Sequence, residues 1–306
     1  MTKVLIATVK PFAPAAVKEI KAVLDKANYD YTFFEKYNSQ DELIAAVKDA
    51  DAMIVRSDKI TPEVINAAGN LKIVVRAGAG FDNVNLAAAI ANNVVVMNTP
   101  GQNSNAVAEL AIGMMIYQAR NHFEVGSGTE LKGKKLGIHA YGNVGKLVAH
   151  IAKGFGMEIF AYDPFIPKVE MEAEGVTVFE SAEELYATCD YISLHIPANK
   201  HTVQSINYDL LSKMKKGACV VNTARKEVIH ETDLVKVFEE NDSFKYLSDI
   251  APDNKDLLTE RFGNRCFFTP KKMGAQTAEA NINAGVASAN QIIAFINNGD
   301  TTFKVN

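Results

Sequence analysis

The stretch FFTPKKMGAQT, Phe267–Thr277, sets two adjacent lysines behind an apolar run with no acid beside them in sequence. An ammonium there can donate a proton to a developing alkoxide. A neutral amine can take one back, provided the lysine pKa is brought down from its ordinary value of about 10.4. Burial, the neighbouring like charge and a nearby arginine all push in that direction. The same pair can instead clamp an anionic ligand. A second stretch, VVNTARKEVIHETDL (220–234), ends a strand of buried character in Thr223-Ala224-Arg225. The carboxyl edge of a strand is where open α/β sheets bind ligands, and a guanidinium at that edge suits a carboxylate beside a carbonyl. A third, LGIHAYGNVGKLVAHIAKGFGMEIFAYDP (136–164), reads as strand, glycine turn, helix, strand, acid. Gly142 allows close backbone approach to a pyrophosphate, Gly145 allows the helix to pack on the strand, and the N–H groups at Asn143 and Val144 face the anion. Asp163 closes the next strand, where a carboxylate accepts from both ribose hydroxyls and repels a 2′-phosphate. No arginine follows it, so NAD is expected rather than NADP. Ala140 occupies the first glycine position, which the turn tolerates if φ stays negative there. In IVVRAGAGFDNVN (73–85), small residues beside Arg76 suit an anion pocket lined by backbone N–H groups. An ordinary strand-to-helix turn with a surface arginine reads the same way.

These residues need rigid strand ends to hold them. Short β-branched runs recur at 3–9, 52–57, 72–77, 94–99, 135–140, 158–163, 191–196, 218–224, 246–251 and 266–270, separated by amphipathic segments such as 41–50 and 231–240. That alternation predicts doubly wound α/β units, and the strands are too many for one sheet of ordinary width. The predicted fold is α/β with two doubly wound parallel-sheet domains. A Rossmann-type cofactor domain, 99–284, is inserted in a flavodoxin-like domain made of 1–98 and 285–306. NTPGQNSN (98–105) marks the first break, a long helix follows at 106–121, and the helix at 278–298 is long enough to return to the first domain.

The totals exclude several classes. Among 306 residues, 48% are hydrophobic and the formal net charge is −4, which leaves no footprint for nucleic acid or an acidic membrane surface. An anionic ligand must therefore meet a local cluster of cations. The three cysteines, Cys189, Cys219 and Cys266, lack disulfide or metal-ligand spacing, so no metal site is expected and a reduced, cytoplasmic setting fits. The opening apolar run is too short for a signal segment, and no run approaches a membrane span.

Taken in order, RAGAGFDNVN, GNVG with Asp163, SLHIP (193–197), VNTAR, SDIAPD (248–253) and TPKKMGAQTAEA (269–280) resemble the D-2-hydroxyacid dehydrogenase family over nearly the whole chain. Segments 55–86 and 96–115 are most similar to its branch acting on 3-phosphoglycerate. The resemblance implies an NAD-linked oxidation of 3-phospho-D-glycerate to 3-phosphohydroxypyruvate, the entry step to serine, in a cytoplasmic homodimer formed through the 106–121 helix. It implies that Arg225 binds the substrate carboxylate, that the backbone of Gly78 and Ala79 also holds it, and that Arg56, Ser57, Arg76 and Asn103 handle the substrate and its phosphate. Thr223, Ala224, Asp249 and Gly274 would serve the nicotinamide half of the cofactor, and His195 and Pro197 the adenine side.

The chain departs from that family where the chemistry is done. The family's acid/base histidine in a TPH motif has no counterpart, since the six histidines end at His230. Lys271 or Lys272 takes its place. The partner glutamate is also missing, with Asp253 the nearest carboxylate. One of the lysines as acid/base is the leading expectation, beside a phosphate clamp and a loss of activity. Lys226 and Glu227 stand where relatives have glycines and would crowd the cofactor, the loop before GTELKGK is short, and there is no tryptophan. The sequence stops at Asn306, so no serine feedback through a C-terminal regulatory domain is expected. Another 2-hydroxyacid substrate (glycerate, hydroxypyruvate or D-lactate) and an NADH-sensing binding protein are the alternatives.

Overall fold

The computed structural model describes residues 1–306 as two compact units, one of Met1–Asn103 with Gln276–Asn306 and the other of Ser104–Ala275. The breaks therefore fall at 103/104 and 275/276 rather than at 98/99 and 284/285. The reason lies in the cap of the last helix. Thr277 accepts from the Ala280 N–H and starts that helix well before 285, and all of it belongs to the first unit.

The first unit runs β1 (Lys3–Thr8), α1 (Pro14–Lys26), β2 (Asp30–Glu35), α2 (Gln40–Val47), β3 (Ala52–Val55), α3 (Pro62–Ala67), β4 (Ile73–Arg76), α4 (Leu86–Ala91) and β5 (Val95–Asn98). Its parallel sheet has the order β2-β1-β3-β4-β5. Side chains alternate across the pleat. Leu5, Ala7, Met53, Val55, Val74 and Val96 pack with α2, α3 and α4 on one face, while Val4, Ile6, Ile54, Ile73 and Val75 pack on the other. Burial on both faces is why these strands read as unbroken apolar runs. β2 escaped the sequence because it is an edge strand that mixes polar and aromatic residues and is only half-buried.

The second unit runs α5 (Ser104–Ala119), β6 (Lys135–His139), α6 (Asn143–Gly154), β7 (Glu158–Tyr162), α7 (Lys168–Ala173), β8 (Thr177–Val178), α8 (Ala182–Thr188), β9 (Tyr191–Leu194), α9 (Tyr208–Leu211), β10 (Cys219–Asn222), α10 (Glu231–Glu240), β11 (Lys245–Ser248), α11 (Lys255–Phe262) and β12 (Cys266–Phe268). The chain then returns to the first unit as α12 (Ala278–Asn298), whose Gly285 lets it lie on α1: an added Cβ would stand 2.6 Å from Ile20 Cδ1. The seven-stranded parallel sheet has the order β12-β11-β10-β9-β6-β7-β8. β8, with two residues, is too short to leave a pattern in the sequence. The apolar length of α5 has a local explanation. Ala108, Ala111, Ile112, Met114 and Met115 lie in the core of its own unit, and its exposed positions are Asn105, Glu109 and Gly113. Apolar length alone therefore does not argue for a subunit contact there. No helix is long and apolar enough to cross a membrane.

Candidate active site

Parallel register assembles the second unit's site. Tyr162 pairs with His139, His139 with Leu194, Leu194 with Asn222, Asn222 with Ser248 and Ser248 with Phe268. The residues one step beyond these ends therefore stand in a row on the carboxyl edge: Thr269, Asp249, Thr223, His195, Ala140 and Asp163. The ladder continues into them, with Ala140 N–H donating to Tyr162 O at 3.0 Å, His195 N–H to His139 O at 2.9 Å, Asp249 N–H to Asn222 O at 3.0 Å and Thr269 N–H to Ser248 O at 3.1 Å. In such a sheet the ligand lies past this edge, where the winding reverses between β6 and β9.

At that reversal the glycine turn enters α6. Gly142 is the N-cap, with φ −78°, and a Cβ added to it meets nothing within 4 Å. The first helical N–H to find a carbonyl is that of Lys146, which leaves those of Asn143, Val144 and Gly145 unbonded for an anion. A Cβ on Gly145 would lie 2.3 Å from Ala140 O and 2.9 Å from Ile138 Cγ2, so this glycine serves helix packing. The expectation of a negative φ at Ala140 is wrong: its φ is +79°. The ladder bond to Tyr162 and the next N–H, Tyr141 to Asp163 Oδ2 at 2.7 Å, hold the alanine in a region that a Cβ disfavours. Asp163 also accepts from the N–H groups of Phe165 (2.8 Å) and Ile166 (3.2 Å), so it anchors the turn before it meets any ribose. About one of its four lone-pair sites is left over. His139 and His195 sit under the turn, paired with Tyr186 Oη (3.1 Å) and Ser193 Oγ (2.9 Å). Burial pushes their pKa values down, to about 4 and about 3, so both are neutral and neither is an acid/base at neutral pH. Pro197 follows on the exposed loop after β9.

Beyond β10, Asn222 shapes the arginine turn. Its amide donates to Arg225 O (2.9 Å) and Tyr246 Oη (3.2 Å) and accepts the Ala224 N–H (3.0 Å). Asn222 was not among the candidate residues, although an asparagine at a strand end before a turn is a recognised signal. The buried Thr223 Oγ1 has no partner in the chain. Such an orphan hydroxyl fits the carboxamide of a nicotinamide. Arg225 is half-exposed and its Nη1 donates to Ala224 O at 2.9 Å.

Asp249 anchors the loop that follows β12. Only 1% exposed, its carboxylate takes the N–H groups of Met273 (2.8 Å) and Gly274 (2.9 Å) and stands 3.0 Å from Thr269 Oγ1. It thereby fixes the loop that carries Lys271 and Lys272. Gly274 belongs to the same clamp, because a Cβ there would come within 3.0 Å of Asp249 Oδ2. Thr269 Oγ1 also lies 2.9 Å from Lys271 O. Both lysine side chains are exposed on this anchored backbone. Asp253, expected as the lysine's carboxylate partner, instead pairs with Lys226 and is mostly exposed. The 253–254 turn is set by Glu231, which accepts from Asp253 N–H (2.8 Å) and Asn254 N–H (3.0 Å).

The first unit's edge is arranged differently. The half-buried Arg56 gives Nη1 to Lys10 O (2.8 Å) and Pro11 O (3.0 Å), and Nη2 to Asn281 Oδ1 (2.6 Å). Arg76 Nε donates to Arg56 O at 3.0 Å, and its guanidinium lies against Gly78, whose φ is +147° and where a Cβ would sit 1.5 Å from Nη1. Asn98 Nδ2 holds Ala79 O at 2.6 Å. Three of the five N–H donors of Arg56 are thus committed to the unit's own backbone and to Asn281, which leaves Nε and one Nη2 hydrogen for a ligand. Ser57 is exposed at the mouth of a depression of about 630 Å³ lined also by Lys59, Thr61, Asn83 and Asn85, and Asn103 is the half-buried residue before α5.

Residues 106–270 match the model of the D-isomer specific 2-hydroxyacid dehydrogenase NAD-binding domain. The chain belongs to this family. A D-3-phosphoglycerate dehydrogenase of Methanocaldococcus jannaschii is 37% identical over 272 residues, 83% of this chain and 51% of that protein. A hydroxypyruvate reductase of Thermotoga maritima is 33% identical over 299 residues, 91% of this chain and 95% of that protein. The crystal structure of NAD+-bound 3-phosphoglycerate dehydrogenase from Entamoeba histolytica aligns with a TM-score of 0.90 at 47% identity, covering 100% of this chain and 98% of that one. The chain spans about half the length of the curated phosphoglycerate dehydrogenases it matches. As a member of this family it presents the features that suit NAD in one row: free helix N–H groups, open space over Gly142, a carboxylate at Asp163 and an orphan hydroxyl at Thr223.

Proposed function

We propose that this 2-hydroxyacid dehydrogenase interconverts 3-phospho-D-glycerate and 3-phosphohydroxypyruvate. The whole-chain likeness to the Entamoeba enzyme carries the reading. Bound NAD supplies hydride acceptance at its nicotinamide. The protein's part is to bind, orient and move the proton. Arg225, presented by the Asn222 turn, takes the substrate carboxylate through two parallel charge-assisted hydrogen bonds. Lys271 or Lys272, on the loop anchored by Asp249, takes the hydroxyl proton on oxidation and returns it on reduction. In the first unit, the Gly78–Ala79 backbone, where the Gly78 N–H already donates to Arg76 O at 2.9 Å and the Ala79 N–H is the donor left, is assigned to the substrate with Ser57, Arg76 and Asn103. The setting is read as cytoplasmic and the assembly as a homodimer, which light scattering of the purified protein tests. Adding 3-phospho-D-glycerate and NAD+ to the enzyme, with a trap for the keto acid, is expected to produce NADH absorbance. None would appear if the reading is wrong. The full-length match to the Thermotoga protein favours a second reading, reduction of unphosphorylated hydroxypyruvate. NADH oxidation with each keto acid separates the two.

A further inference from the structure

The carboxyl edge of the first sheet carries a further cation, Lys10. The winding of β2-β1-β3-β4-β5 reverses between β1 and β3, and ligands of doubly wound sheets lie beyond the strand ends at such a point. The segment leaving β1 there is Val9-Lys10-Pro11, and every residue of it is pinned. Val9 N–H donates to Asp58 Oδ1 at 2.6 Å. Lys10 O accepts from Thr8 Oγ1 and Arg56 Nη1, both at 2.8 Å, and Pro11 O accepts from the same Arg56 nitrogen at 3.0 Å. Asp58 is buried and its Oδ1 also takes the Tyr37 hydroxyl at 2.8 Å, while Arg56 is tied to α12 through Asn281. The backbone of Lys10 is thus fixed by β3 on one side and β1 on the other. Its side chain is exposed and has no ion-pair or hydrogen-bond partner in the chain.

Here two charged side chains, one of them buried, hold the backbone from which an unpartnered ammonium extends, so the lysine is tethered at a fixed point of the strand-end crevice. We propose that Lys10 holds the phosphate group of the substrate and that Arg56 and Asp58 position it. This assignment rests on the phosphorylated-substrate reading above and names the residue behind it. A compact ammonium with three rotatable donors suits a phosphate dianion.

The test compares wild type, Lys10→Met and Lys10→Arg, each with 3-phosphohydroxypyruvate and with hydroxypyruvate, and each checked for an unchanged melting temperature. Wild type is expected to prefer the phosphorylated keto acid. Lys10→Met is expected to cut that preference in kcat/KM by roughly 10- to 100-fold, through KM rather than kcat, as loss of a charged hydrogen bond implies. Lys10→Arg should retain most of it. Should wild type prefer the phosphorylated substrate while Lys10→Met keeps the same preference, or lose both substrates equally, the assignment fails and the function stands. A wild type with no preference for the phosphate overturns the functional reading and this assignment with it.

Discussion

The two sheets differ in what their carboxyl edges leave unbonded. In the second unit Asp163 and Asp249 are engaged, but three helix N–H groups and the Thr223 hydroxyl lack partners beside the open face of Gly142. In the first unit the groups that look most like ligand binders are engaged internally, Arg56 with two carbonyls and Asn281, Asn98 with Ala79 O. The difference teaches that a cation at a strand end is not by itself a ligand site. What decides is whether its polar atoms already have partners, and by that criterion the first edge leaves Lys10 and the buried Thr99 hydroxyl beyond β5, and the second leaves the row from Thr223 to Gly142.

The largest expected effect lies on the second edge. Alanine at one of Lys271 and Lys272 should slow single-turnover hydride transfer by about 10²–10⁴-fold, and at the other by less than about tenfold. Small losses at both would remove the proton chemistry from this loop. Acid should also separate the units, because all six histidines lie in the second. His139 and His195 are held neutral with pKa values down to about 4 and about 3, whereas in the unfolded chain they titrate near 6.5. Between those limits the unfolded chain binds more protons, so stability is present above about pH 6.5 and falls as the pH drops below it. The slope is up to about 1.4 kcal/mol per pH unit for each histidine. Urea titrations with hydrogen exchange read per unit should show the second unit weakening first. Smaller again, Gly145→Ala drives a Cβ into Ala140 O and should destabilise the protein by about 1–3 kcal/mol, seen as a lower melting temperature. The smallest effect has the opposite sign. Ala140→Gly relieves the positive φ and should stabilise by up to about 1 kcal/mol.

Much of this architecture was legible because parallel strands buried on both faces leave long apolar runs, and because the row of strand-end residues follows from register alone. Asp163, Thr223 and Arg225 were found that way. The edge strand β2 and the two-residue β8 left no such runs. The residues whose internal bonds the sequence did not reveal share a cause, since their partners are distant in sequence. Arg56 is occupied by carbonyls at 10 and 11 and an amide at 281, Asp249 by N–H groups at 273 and 274, and Asp253 by Lys226. A side chain's type shows what it can bind, and only the fold shows what it already binds. Ala140 failed for a related reason, because its φ is imposed by bonds to Tyr162 and from Tyr141 to Asp163.

The most direct test of the contrast between the edges is a calorimetric titration of NAD+ into wild type and Gly142→Ala. The added methyl meets no protein atom within 4 Å and should leave the melting temperature unchanged. It should fill the space where the pyrophosphate approaches and weaken NAD+ binding by about tenfold or more, equivalent to losing at least one good hydrogen bond. Equal affinity in the two proteins, or no NAD+ binding by wild type, would contradict the account.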